Sequence, residues 1–270
     1  MTTPLSEVPK VRLPHLAAAK AAGEKLTMLT AYDRPTAEIF DLAGIDLLLV
    51  GDSMGNAVLG MDNTLPVTLD QMVSATAAVA VGARRAMIVA DLPFGTYETG
   101  PKQAFRSAAR LIKAGANAVK FEGGARVAPQ IQHLSQHGIP VMAHLGFTPQ
   151  SINTLGGNRI QAKDDASAEV LLRDALSVQQ AGAFAVVLEL MPAQVAARVT
   201  AALEIPTIGI GAGAETDGQV LVWTDMAGLD DQAPTFVQRF GDLRAALLQA
   251  TQAYAAAVRQ GTYPDPEHSF

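Results

Sequence analysis

Five short apolar runs in this chain stop abruptly at an ionisable residue. Leu47 to Val50 runs into Gly51, Asp52 and Ser53, Met87 to Ala90 into Asp91, and Ala118 to Phe121 into Glu122. Val141 to Ala143 runs into His144, and Val186 to Leu188 into Glu189. Runs of this length and composition suit strands buried on both faces, as in a parallel sheet covered by helices. A charge directly after a buried strand is costly unless it sits at a rim or meets a partner. In a parallel barrel all such ends lie on one face, the face that carries barrel active sites. Few architectures can absorb that pattern.

Each run also closes a longer repeated unit. LAGIDLLLV (42–50), KAGANAVKF (113–121), QHGIPVMAH (136–144) and QAGAFAVVLE (180–189) share a helix-like approach, a glycine and then the apolar run. Glycine just past a helix allows the left-handed turn that sends the chain back to the sheet. The spacing predicts a short helix near Leu16 to Ala22 and a first strand at Thr27 to Ala31. A helix at Pro35 to Leu42, a strand at Leu47 to Val50 and a helix at Leu69 to Val81 follow. Next come a strand at Met87 to Ala90, a helix at Lys102 to Lys113, a strand at Ala118 to Phe121 and a helix at Val127 to His137. Then follow a strand at Pro140 to Ala143, a helix at Ala166 to Gln180, a strand at Ala185 to Leu188 and a helix at Ala193 to Ala202. Strands at Thr207 to Ile210 and Val220 to Trp223 complete eight, and an Ala-rich helix at Asp242 to Arg259 precedes the tail.

Eight strands alternating with helices fit either a closed (β/α)8 barrel or an open doubly wound sheet. An open sheet would carry a glycine-rich nucleotide turn after its first strand, where this chain has Ala31, Tyr32, Asp33, Arg34 and Pro35. Asp52 and Asp91 are 39 residues apart, Asp91 and Glu122 31, and His144 and Glu189 45, against roughly 31 per unit in a barrel of about 250 residues. We therefore expect one barrel domain over residues 1–270, a TIM barrel with a short N-terminal helix and a C-terminal helix plus tail. Two rim connections, 52–68 and 146–165, are long enough to be binding loops or lids.

Composition removes several function classes. A net charge of −6 without any Lys/Arg run gives no nucleic-acid footprint, and the absence of cysteine excludes disulfides, thiolate metal sites and a catalytic thiol. No run of 18 apolar residues and no apolar signal core are present, so the expectation is a soluble cytoplasmic protein with no membrane partner.

Asp52, Asp91 and Glu122 end neighbouring strands. Converging carboxylates repel one another unless a cation intervenes; with one rim histidine and no thiol, the suitable cation is Mg2+. Separate salt bridges at the rim are the alternative. Lys120, two residues before Glu122, shares its face and suits a substrate carboxylate or an enolate oxygen, or acts as counter-ion to the acids. Ser53 either binds substrate or caps the following turn. Glu189 has an apolar flank in Leu188, Leu190 and Met191; it is either a general base or an ion-pair partner of a lid residue such as Arg159. His144, the one strand-end histidine, either binds substrate or makes a structural hydrogen bond. Tyr32 and Asp33 are candidates for orienting metal-bound water. GIGAGAETDG (209–218) is compatible with a phosphate cradle or with close approach of a ligand or backbone.

TAYD (30–33), VGDSMG (50–55), TLPVT (64–68), ADLPF (90–94), AVKFEGG (118–124), HLGFTPQS (144–151), GIGAGAETDGQ (209–219) and YPDPEHSF (263–270) resemble, in order, the ketopantoate hydroxymethyltransferase family. The resemblance implies a (β/α)8 barrel of the phosphoenolpyruvate/pyruvate superfamily. It also implies Mg2+-dependent transfer of a one-carbon unit from 5,10-methylenetetrahydrofolate to 3-methyl-2-oxobutanoate, giving 2-dehydropantoate for pantothenate synthesis. By motif, Asp52, Asp91 and Glu122 fall on the family's metal positions. Asp52, Ser53, Asp91 and Lys120 fall on its keto-acid-binding positions, and Glu189 on its proton acceptor. The family forms large homo-oligomers, commonly decamers. Other expectations from the residues are a related Mg2+-dependent 2-oxo-acid lyase or mutase, many of which use a cysteine that this chain lacks, and a non-catalytic barrel that merely binds a small molecule.

Overall fold

The computed structural model of the protein describes residues 9–270. Its contacts divide the chain into two compact units, one ending at Leu221 and one spanning Val222–Phe270.

The first unit is a closed, all-parallel barrel with the strands in sequence order, β1 pairing with β8 to shut it. The strands are β1 (Leu26–Thr30), β2 (Leu47–Val50), β3 (Met87–Asp91), β4 (Ala118–Glu122), β5 (Val141–Gly146), β6 (Ala185–Glu189), β7 (Thr207–Ile210) and β8 (Gly218–Leu221). The helices of this unit are α1 (Leu13–Ala22), α2 (Arg34–Leu42), α3 (Met54–Ala57), α4 (Leu69–Gly82), α5 (Pro101–Lys113), α6 (Ala128–Gln136), α7 (Ile152–Leu155), α8 (Asp165–Gln180) and α9 (Ala193–Ala202). Helix starts follow local chemistry. Asp33 accepts from the Thr36 N–H at the head of α2, Thr68 and Gln71 form a capping box on α4, and Asp164 and Ser167 form another on α8. Pro101 opens α5, where its missing N–H is not needed.

Side chains alternate along each strand, so one set fills the barrel. Leu26, Met28, Leu47, Leu49, Met87, Val89, Ala118, Met142, Ala185, Val187, Ile208 and Val220 form that core with Val11, Leu16 and Ala19 from the N-terminal segment and α1. The foot of the barrel is thus plugged by apolar packing, each fully buried Leu contributing about 2 kcal/mol.

One expectation is corrected. The eighth strand begins at Gly218 rather than Val220, and Trp223 opens a short helix instead of ending the strand. A Cβ at position 218 would lie 2.5 Å from the Leu26 carbonyl oxygen, so the strand starts on the one residue type that lets β1 come this close. Of the two long rim connections, the first carries α3 and the second α7. Between β7 and β8 there is no helix. Residues 211–217 cross from rim to foot, tied by Gln219 Nε2 to Gly213 O (2.9 Å) and Thr216 Oγ1 (2.8 Å). A Cβ on Gly209 would stand 2.6 Å from Thr216 Oγ1 and one on Gly213 2.4 Å from the Ala193 Cβ, so glycine here permits close approach of neighbouring chain.

The second unit contains α10 (Trp223–Met226) and α11 (Leu243–Arg259). Asp242 caps α11 at the Ala245 N–H, and no residue of α11 is buried. Among the described residues no helix is long and apolar enough to cross a membrane.

Candidate active site

Asp91, Lys120, Glu122, His144 and Glu189 share the inward parity of the core residues below them, so the strands carry all five side chains into the barrel mouth. Register sets their heights: Asp91 pairs with Lys120, Glu122 with His144, and Glu189 with Ile210. Asp52 arrives differently, from the turn between β2 and α3. Asp52, Asp91, Lys120, Glu122 and His144 are all only 2–4% exposed, a dense set of charges for a buried site.

Three ionic contacts organise them. Lys120 Nζ lies 2.8 Å from Asp91 Oδ1. His144 Nε2 lies 3.1 Å from Glu189 Oε2, and its Nδ1 lies 3.6 Å from Glu122 Oε1 and 3.4 Å from Lys120 Nζ. Glu189 therefore answers to His144, not to Arg159. Burial and the Lys120 ammonium push the His144 imidazole down, but its bonds to Glu122 and Glu189 outweigh them and lift it to about 9. At neutral pH it is a cation. Lys120 is held above its ordinary value because Asp91, Glu122 and Asp52 together overcome desolvation.

Asp52 is on the other side of this balance. Its N–H donates to Asp91 Oδ2 (3.1 Å), and its Oδ2 accepts from Gln150 Nε2 (2.8 Å). Burial, then the Asp91 and Glu122 carboxylates, hold the Asp52 carboxyl well above the usual carboxylate range, with Lys120 and Gln150 opposing. Ser53 makes no cap bond to α3; its Oγ lies 2.9 Å from Tyr32 Oη. Burial pushes the Tyr32 phenol up to about 12, so it remains protonated. Asp33 is taken up as the α2 cap.

The backbone around Glu189 is unusually constrained. A Cβ on Gly146 (φ 94°) would stand 2.2 Å from the Glu189 carbonyl oxygen, and that oxygen accepts from Phe147 N–H (2.8 Å). The next residue, Leu190, has φ 46°, a left-handed conformation that costs a non-glycine residue roughly 1–2 kcal/mol. Its N–H and carbonyl are held by Ile210 O and Gln161 N–H.

Two residues of the site are neutral and were not singled out in the sequence: Gln150, in the turn after β5, and Tyr97, in the loop after β3. Gln150 N–H donates to Glu122 Oε2 (3.0 Å), its Nε2 donates to Leu92 O (2.9 Å) as well as to Asp52, and its Oε1 accepts from Tyr97 Oη (2.7 Å).

Among the described residues no three His, Asp or Glu side chains are gathered as a ready-made ion cage. Asp91 turns to Lys120, and Glu122 turns to Gln150 and His144. The donor chemistry nonetheless fits a hard divalent cation. Four acidic side chains (Asp52, Asp91, Glu122, Glu189) converge on two basic ones (Lys120, His144), so the acids outnumber the bases. Asp91 Oδ1, although near Lys120, is a buried oxygen without an aligned hydrogen-bond donor. Mg2+ takes one or two carboxylates and several waters, so it needs no three-ligand cage.

The sequence profile described as ketopantoate hydroxymethyltransferase matches residues 10–266. The chain belongs to that family. A 3-methyl-2-oxobutanoate hydroxymethyltransferase of Rhodococcus jostii (strain RHA1) is 55% identical over 273 residues, covering 100% of this chain and 94% of its own. One of the same name from Frankia alni is 58% identical over 257 residues, covering 94% and 84%. Among solved structures, 2,3-dimethylmalate lyase, a PEP mutase/isocitrate lyase superfamily member, aligns with TM-score 0.57 and 18% identity, covering 94% of this chain and 92% of that one. That likeness concerns the fold. Membership in the ketopantoate hydroxymethyltransferase family, by contrast, makes the barrel an enzyme of hydroxymethyl transfer in pantothenate synthesis.

Proposed function

We propose that the barrel mouth deprotonates C3 of 3-methyl-2-oxobutanoate and joins that carbon to the methylene unit of 5,10-methylenetetrahydrofolate, giving 2-dehydropantoate. One observation carries the reading. An ammonium and a carboxylate, Lys120 and Glu189, lie at opposite edges of the His144 ring, near Nδ1 (3.4 Å) and Nε2 (3.1 Å) respectively. An acidic carbon next to a 2-oxo group needs that pair: a base for its proton and a cation for the charge left behind.

Asp52, Asp91 and Glu122 would hold a divalent cation, Mg2+ being the natural choice for an oxygen-only set. When bound, it supplies Lewis-acid polarisation of the 2-oxo acid. Lys120 neutralises negative charge developing on the keto oxygen in a site from which water is excluded. Ser53, paired with the protonated Tyr32 hydroxyl, offers a hydrogen bond to the substrate carboxylate. Glu189 accepts the C3 proton, and His144, its Nε2 3.1 Å from Glu189 Oε2, holds that carboxylate in place by charge. The methylene carbon exchanges its two C–N bonds for a C–C bond to the carbanion and a C–O bond to water, and tetrahydrofolate departs with its two nitrogens protonated by the C3 proton and a proton of that water.

In this reading the working enzyme is a cytoplasmic homo-oligomer, a decamer as in the family. Leu247, Leu248, Tyr254 and Val258 of α11, which the rest of its own unit leaves uncovered, support association between copies.

Glu189→Gln tests the base. It should retain keto-acid binding and lose C3 deuterium exchange by about 10²–10⁴-fold; exchange at the wild-type rate would remove Glu189 from the role.

A further inference from the structure

Gln150 is attached to two of the proposed metal-holding carboxylates at once, one through its side chain and one through its backbone. Nε2 reaches Asp52 Oδ2 at 2.8 Å, and the peptide N–H reaches Glu122 Oε2 at 3.0 Å. The second Nε2 proton goes to Leu92 O at 2.9 Å, so both amide protons are committed. Gln150 is 7% exposed and sits in the first turn of the long rim loop, not on a strand.

An amide can face either way, and only one orientation helps Asp52. Leu92 O, which can only accept, decides between them, and Tyr97 supports the choice. Its hydroxyl is 2.7 Å from Gln150 Oε1, and it also lies 3.3 Å from the Glu122 N–H, from which it accepts. Burial, with the Glu122 and Glu98 carboxylates, keeps the Tyr97 phenol protonated across the physiological range. The phenol proton has two acceptors in reach, Gln150 Oε1 at 2.7 Å and Glu122 O at 3.3 Å, and the shorter contact is with the Gln150 oxygen. The NH2 then faces Asp52. Tyr97 also packs on Phe121, ring centroids 4.9 Å apart, so its own position is fixed by the core.

We propose that Gln150 and Tyr97 are positioning residues for the metal centre, which preset Asp52 and Glu122 and tie their arrangement to the seating of the loop after β5. The pair touches neither the base nor the proposed reacting atoms. The same contacts make the coupling reciprocal: a loop lifted off the rim releases both carboxylates, and a cation that orders the carboxylates retains the loop. The inference rests on the metal reading given above and adds to it where the geometry of the site comes from.

Binding of Mn2+, in place of Mg2+, followed by the loss of its free-ion EPR signal tests this without turnover. Gln150→Leu keeps the volume and removes the amide; Mn2+ should bind about 10–100-fold more weakly, the range typical of lost outer-shell partners. Tyr97→Phe removes one oxygen and should weaken binding less, by about 3–10-fold. Raising Mg2+ should restore most of kcat in both variants, a rescue that general damage to the fold would not allow. Mn2+ affinity within two-fold of wild type in both variants would overturn the proposal, and should Gln150→Leu not fold, that result in Tyr97→Phe alone would do so. Asp91→Ala separates the two levels. If it binds Mn2+ normally, the metal reading itself is wrong; if it loses Mn2+ while Gln150→Leu does not, only the positioning role falls.

Discussion

Asp41 and Asp52 are both buried aspartates, 2% and 4% exposed, yet they do opposite things at opposite ends of the barrel. Asp41, near the end of α2, faces the foot. Its carboxylate accepts the N–H groups of Arg84, Arg85 and Ala86 at 2.6–3.1 Å, fixing the chain as it enters β3. Asp52, at the mouth, receives one side-chain N–H from Gln150, and the Asp91 and Glu122 carboxylates outweigh the Lys120 ammonium around it. The foot continues in Asp41's manner: Arg85 bridges to Asp46, and Lys20 of α1 to Asp217, both at 2.7 Å. A cavity of about 350 Å3 there is lined by Val11, Leu13, Pro14 and Met87 with Lys10 and Arg12, and holds no carboxylate. At the foot the Asp41, Asp46 and Asp217 carboxylates each meet N–H groups or a cation of the chain. At the mouth the acidic side chains outnumber the basic ones that face them.

Asp41→Ala should break the foot. Three backbone N–H groups would lose their acceptor, costing roughly 2–4 kcal/mol of stability, with kcat of the folded fraction unchanged; urea unfolding beside steady-state kinetics measures both. If kcat falls with stability, the two ends are not independent.

Asp52→Asn should do the reverse at the mouth. Because the folded protein raises the Asp52 carboxyl well above its usual value, its favourable contribution is complete only below the unfolded value near 3.8. It is lost as pH rises through the folded one. Without metal the buried carboxyl opposes folding increasingly as pH rises, and Asn should therefore raise the melting temperature at neutral pH by roughly 3–6 °C. The gain should shrink toward pH 4 while activity is lost at every pH. A melting temperature that falls at pH 7 would mean Asp52 is a structural residue like Asp41.

The mouth was more legible in the sequence than the foot, for a physical reason. A strand with period-two alternation delivers its last inward side chain to a known place, so Asp91, Lys120, Glu122, His144 and Glu189 could be assigned from parity alone. Asp41 sits mid-pattern in a helix, where an acid looks like any solvated residue. Gln150 and Tyr97 carry no charge and lie on loops, where no periodicity fixes direction. The partner of Glu189 was also beyond the sequence, because pairing His144 to it depends on the register between β5 and β6. The eighth strand was displaced since a glycine start reads as loop until the neighbouring strand is in view.

The melting temperature of the wild-type protein and Asp52→Asn, each with and without Mg2+ at ten times the wild-type dissociation constant, tests the acid-rich mouth most directly. The account predicts a rise of about 3–5 °C for the wild type, equivalent to about 1.4 kcal/mol of linkage, and little or none for the variant. Equal rises in both proteins, or no rise in the wild type, would contradict it.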